Sequence, residues 1–173
     1  MSKTSYMIIK NLNKKFLINF SIILTLFFID RFSKLYVINL DKELLGSEIF
    51  SSKFLNIHLI WNEGIAFGLF SFSETYFYNL ISIIIAIIIF ALLIMIIRSK
   101  GFKRFFLIFI LGGALGNFYD RLIYKAVPDF IDFHVNDFHW FIFNVADIFI
   151  SIGVFFVILY EIIDNNLEKN EKN

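Results

Sequence analysis

Cysteine is absent from the 173 residues, and proline occurs once. The missing thiols exclude disulfides, cysteine nucleophiles and cysteine-based metal centres. An excess of either charge is lacking too. The net charge is +1, which offers no basic field for nucleic acid. There is no internal repeat and no low-complexity linker. What fills the chain is apolar: 58% of residues are hydrophobic, 25 of them Phe, where a soluble domain carries about 45–50%. The mean hydropathy is +0.74. One small core cannot hide this much apolar surface, so lipid is the expected solvent.

A bilayer core takes roughly 20 apolar residues as helix. Four stretches qualify, at 16–38, 76–97, 105–124 and 140–160. The first follows Lys10, Lys14 and Lys15, but no small-x-small cleavage site comes after it, so a retained span is expected. Lys3, Lys10, Lys14 and Lys15 precede the first span. Arg98, Lys100, Lys103 and Arg104 separate the second and third, and neither segment carries acid. Both are therefore expected in the cytoplasm. Segments 39–75 and 125–139 then lie outside, and the polar tail 164–173 returns inside. In "FLNIHLIWN", Leu55, Ile57, Leu59 and Trp61 alternate as in a strand with one apolar face. Ser71 and Glu74 read as a capping box before the second span. The expected fold is an all-α membrane protein: one domain, four transmembrane helices and a small extracytoplasmic β element.

The polar residues inside the spans share one depth. With a 1.5 Å rise per residue, Asp30 and Lys34 fall in the outer half of span one. Asn117, Asp120 and Arg121 fall near the outer end of span three, and Asn144 and Asp147 open span four. Asn62 and Asp129 join them from the outer segments. Asn117, Asp120 and Arg121, at i, i+3 and i+4, share a helix face with Gly113. Gly112, Gly113 and Gly116 permit close helix approach. Asn144, Asp147 and Ser151 make a similar stripe on span four.

Ionisable groups at such depth point inward, pair, and mark function by default. Structural readings compete with that one. Asp30 and Lys34 make a simple intrahelical pair, Asp120 with Arg121 an orienting network, and Asn62, Gly64 and Gly68 turn or packing positions. Asp129 and Asp147 differ, because neither has an evident basic partner nearby in sequence. Two carboxylates held close share a proton, so that one serves as base on water while the other polarises a carbonyl. A metal is not expected there. Asp129, Asp132, His134, Asp137 and His139 offer ligand atoms, but the histidines are five apart and no HExxH helix occurs. Serine chemistry lacks its motif. A proton relay would also cluster carboxylates, but it calls for polar groups on both sides of the midplane, and the inner half has almost none. A non-catalytic assembly factor would use the cluster as scaffold.

Taken in order, "DRFSK", "NEGIAFG", "GGALGNFYDR", "VPDFIDF" and "FNVAD" on four spans resemble lipoprotein signal peptidase, the type II signal peptidase of bacteria. The resemblance covers about residues 16–160. It implies an intramembrane aspartic endopeptidase of the bacterial cytoplasmic membrane that needs no cofactor. Such an enzyme acts as a monomer on diacylglyceryl-modified prolipoproteins among membrane lipid. The implied catalytic pair falls on Asp129 and Asp147. Supporting or substrate-binding positions fall on Asp30, Lys34, Asn62, Gly64, Asn117, Asp120, Arg121 and Asn144. Pro128 departs from the small aliphatic usual before the first catalytic Asp. It suits a loop or edge strand. Asp132 is a nearby rival for the first catalytic role.

Overall fold

The computed structural model describes the backbone of residues 3–64, 74–136 and 138–171 and the side chains within 14–64, 78–136 and 138–164. Ser71, Gly68 and Asp137, singled out above, lie outside the described residues. Four helices are present: α1 (Lys3–Glu43), α2 (Glu74–Arg98), α3 (Gly101–Tyr124) and α4 (Val145–Glu171). Each contains a stretch long and apolar enough to cross a membrane. Strands β1 (Phe50–Ser51), β2 (Leu55–Asn62), β3 (Val127–Val135) and β4 (Phe138–Phe143) form an antiparallel sheet in the order β1-β2-β3-β4.

Helix α3 is the hub and packs against α1, α2 and α4. Half of its apolar window is buried, against 6% of the window of α2. That contrast follows from side-chain size. Gly112, Gly113 and Gly116 let neighbouring helices touch the α3 backbone. A Cβ on Gly112 would lie 2.8 Å from Leu26 Cβ of α1. One on Gly113 would collide with the Ala146 carbonyl of α4, and one on Gly116 with the Asp30 carboxylate of α1. Leu107, Ile108, Leu111 and Ala114 of α3 close the core against Leu92 and Ile96 of α2. Ile83, Ile84, Ile87, Ile88 and Phe90 of α2 stay exposed, as side chains facing lipid do.

The sheet differs from the expected element in three ways. First, β4 occupies residues assigned above to the start of span four, which begins instead at Val145. "FHWFIF" is apolar apart from His139, and such a run suits strand and helix equally. Second, β2 does not bury one apolar face. Asn56 is its buried residue and Trp61 is exposed. A register shift between Ile57 and Ile60 breaks the alternation. Third, Pro128 sits inside β3, paired with Trp61. It is tolerated because β4 pairs with β3 only from Ile131 onward, leaving the other flank of Pro128 without a strand.

Two short junctions aim the chain at the bundle. Lys125 takes a left-handed conformation (φ 59°) after α3 and returns its N–H to the Arg121 carbonyl, so β3 starts at Val127. At the other end of the hairpin, Asn144 follows β4 directly and opens α4.

Candidate active site

Two polar assemblies meet where α1, α3, α4 and β3 converge. The first is ionic. Lys34, fully buried, donates to Asp30 Oδ2 (2.8 Å), Asp120 Oδ2 (2.7 Å) and Asn117 Oδ1 (2.8 Å). All three ammonium hydrogens are used. Arg31 pairs with Asp120 Oδ1, and Asp30 Oδ1 accepts the Ala146 N–H of α4 at 2.9 Å. Two carboxylates thus face two cations, and the group is formally neutral. Charge balance is the condition under which buried ions are tolerated, although Arg31 Nε and Nη2 are buried without a hydrogen-bond partner among the described residues. Asp30 also lies at the N-terminus of α4, where an anion is favoured.

Arg31 escaped the sequence reading. Its signal was charge balance: with Asp30, Asp120 and Lys34 gathered, one positive charge was missing, and Arg31 adjoins Asp30. The partner expected for Asp120 is also corrected. Arg121 follows it directly in the helix, and i, i+1 side chains do not face each other. Asp120 is held by Lys34 and Arg31 instead.

The second assembly is built from amides. Asp129, 4% exposed, accepts from Asn144 Nδ2 at 2.6 Å and from Asn62 Nδ2 at 2.9 Å. Asp147 accepts from Asn117 Nδ2 at 2.8 Å and from the Asn144 backbone N–H at 3.1 Å. The Asp147 N–H returns to Asn144 Oδ1 at 3.2 Å. Asn144 is therefore the N-cap of α4 and Asp147 its N3 residue, a reciprocal capping box. The Asn144 side chain serves both carboxylates, its oxygen on the Asp147 backbone and its nitrogen on Asp129.

Asn62 is oriented in the same manner. Its Oδ1 accepts the Gly64 N–H at 2.8 Å, which turns its Nδ2 to Asp129. Gly64 has φ +82°, and a Cβ there would stand 3.0 Å from both terminal nitrogens of Arg121. Glycine is needed for both reasons.

Asp129 and Asp147 line one cavity of about 280 Å³ with Asn62, Asn117, Arg121 and Asn144. The rest of its wall is apolar: Ile85 and Ile88 of α2, Ile110 and Ala114 of α3, Val127 of β3 and Ile150 of α4. Asp129 and Asn62 also border an open cleft on the sheet side with Trp61, Glu63 and Ile142. Asp129 therefore stands between the apolar chamber and the open cleft. Arg121 is 8% exposed, and its Nη1 has no hydrogen-bond partner among the described residues. Among the described residues no cation pairs with Asp129. Burial pushes its carboxyl up to about 6, the donors Asn62 and Asn144 oppose the rise, and the charge of Asp147 adds to it.

The structure connects all ten residues singled out in the sequence. Ser151 does not join them and is exposed on α4. Asp132, the rival carboxylate, is held by His139 Nδ1 at 2.8 Å and does not line the cavity.

Comparison with known proteins places the chain in a family. Residues 22–163 match the family model described as signal peptidase (SPase) II. The lipoprotein signal peptidase of Pelagibacter ubique (strain HTCC1062) is 52% identical over 160 residues, 92% of this chain and 96% of that protein. That of Rickettsia akari (strain Hartford) is 39% identical over 92% of this chain and 81% of its own. A solved bacterial membrane enzyme superposes with TM-score 0.69 at 31% identity, covering 82% of this chain and 90% of that one. On these grounds the chain belongs to the signal peptidase II family.

Proposed function

We propose that this chain is an intramembrane aspartic endopeptidase that removes signal peptides from diacylglyceryl-modified prolipoproteins, with Asp129 and Asp147 as its catalytic pair. One observation carries the assignment of the pair. These two carboxylates face a common cavity and are held by neutral amides, while Asp30 and Asp120 are held by cations. Amide donors orient a carboxylate without fixing its charge, so a proton can reside on the pair.

The pair shares one proton as pH falls toward about 6, and the raised affinity of Asp129 favours it at that residue. Protonated Asp129 donates to the scissile carbonyl oxygen. Ionised Asp147 takes a proton from water as the water oxygen bonds to the carbonyl carbon. The tetrahedral intermediate collapses: one hydroxyl proton returns to Asp129 as the carbonyl re-forms, the C–N bond breaks, and the proton held by Asp147 passes to the leaving amine. The apolar wall of the cavity suits the signal-peptide helix, and the sheet-side cleft supplies water. Asn62, Asn117, Arg121 and Asn144 hold substrate carbonyls or the carboxylates.

The same reading puts both termini in the cytoplasm and the pair near the outer leaflet. Its support is the basic set Arg98, Lys100, Lys103 and Arg104 at the α2–α3 junction. A single chain supplies both carboxylates, which supports action as a monomer.

Asp129→Asn and Asp147→Asn, assayed separately in detergent with chelator, should each lower cleavage of a diacylglyceryl-modified precursor by more than about 10³-fold. The thermal midpoint should stay close to that of the wild type. Retained cleavage in either variant overturns the pair. Loss of wild-type activity in chelator replaces it with metal chemistry.

A further inference from the structure

We propose that Asp132, His134 and His139 form a binding site for one divalent transition-metal ion of the Zn²⁺ class, bridging β3 and β4 away from the catalytic pair. The chain has three histidines and no cysteine. Two of the three histidines converge here. One ligand atom from each of the three residues lies within 4.8 Å of the other two. His134 and His139 are direct partners in the antiparallel ladder, and their rings stack at 5.1 Å. Asp132 is 1% exposed and contacts His139 through one oxygen. Its other oxygen is buried and lacks a hydrogen-bond partner among the described residues, as does His134 Nδ1.

Orphaned buried acceptors of this kind call for an explanation, and an ion supplies one. Zinc–nitrogen and zinc–oxygen bonds of about 2.0–2.2 Å set ligand atoms roughly 3.3 Å apart in a tetrahedron, a spacing bracketed by the 2.8 Å Asp132–His139 contact and the 4.8 Å limit on the group. The His139 side chain, 51% exposed near the β3–β4 turn, has the freedom to adjust to that spacing. Two imidazoles and one carboxylate select Zn²⁺, Cu²⁺ or Ni²⁺ over Mg²⁺ and Ca²⁺, which prefer all-oxygen sites. The ion's role is structural. Asp132 lies three residues beyond Asp129 and His139 five before Asn144, so the ion staples the hairpin that carries one catalytic carboxylate and leads into the other.

The test uses full-length protein without a histidine tag, stripped with chelator and titrated with zinc chloride in detergent. Calorimetry should record one saturable equivalent, and the thermal midpoint should rise with Zn²⁺ and not with Mg²⁺. His139→Ala and His134→Ala should each weaken uptake at least tenfold. His139→Cys, which keeps a ligand, should retain uptake, as should His58→Ala. Peptidase activity in chelator should equal that of the zinc-loaded enzyme. Absence of saturable uptake by the wild type, uptake unchanged in both the His134 and His139 alanine variants, or loss in His58→Ala overturns the site.

Discussion

The four carboxylates of the site, three of them buried and Asp147 half-buried, divide into two kinds. Asp30 and Asp120 sit in a closed ionic group with Lys34 and Arg31, where every charge has its counter-charge. Asp129 and Asp147 sit among Asn62, Asn117 and Asn144, with no cation among the described residues bonded to either. The residue types are the same and the depth is similar, but the partners differ. An ion pair holds a carboxylate in one charge state and ties helices together. An amide holds its geometry and leaves its proton free to move. Asn117 bridges the two kinds, accepting from Lys34 and donating to Asp147. The ionic group therefore sets the position of Asp147 without supplying it with charge.

The largest break in this comparison should come from Lys34→Met. It leaves Asp30 and Asp120 buried with Arg31 alone and strands an oxygen of Asn117. Breaking a buried pair from one side costs about 3–5 kcal/mol. The thermal midpoint in detergent should fall well below that of Asp147→Asn, and activity should fall with it. A variant as stable as the wild type yet inactive would move Lys34 from scaffold to chemistry and dissolve the distinction.

Gly116→Ala tests the same group more gently. Its new methyl would meet the Asp30 carboxylate. Overpacking of this kind costs about 1–3 kcal/mol. The midpoint should drop by less than in Lys34→Met. An unchanged midpoint and rate would mean that α1 and α3 can separate without disturbing the ion pairs.

The helices were legible in the sequence because long apolar runs separated by basic segments leave few alternatives. The site residues were legible because polar groups are rare in such runs, so each one stood out. Pairing was less legible. Asp120 beside Arg121 invites a local reading, and helix geometry sends the two side chains to different neighbours. Arg31 was hidden within "DRFSK" by the more evident Asp30–Lys34 spacing. Strand β4 was hidden by composition, since only His139 interrupts the apolar run Phe138–Phe143 before Asn144 caps α4. The facing of β2 depends on a register shift that no periodicity announces.

The smallest expected effect sharpens the amide side of the comparison. Asn62→Ala removes one of two side-chain donors to Asp129. Those donors lower the carboxyl's proton affinity while burial raises it to about 6. Losing one lets the value rise further, so protonated Asp129 persists to higher pH. If Asp129 carries the proton, activity declines as pH rises through its pKa, and that alkaline limb should move upward in Asn62→Ala. One pKa unit corresponds to about 1.4 kcal/mol, so a shift of up to about one unit matches the strength of a hydrogen bond to a charged group. The measurement is the rate of cleavage against pH under saturating substrate, compared with the wild type. A limb that stays in place while the rate falls equally at every pH would assign Asn62 to the substrate's backbone. The tuning of Asp129 would then rest on Asn144, which caps the helix that carries Asp147.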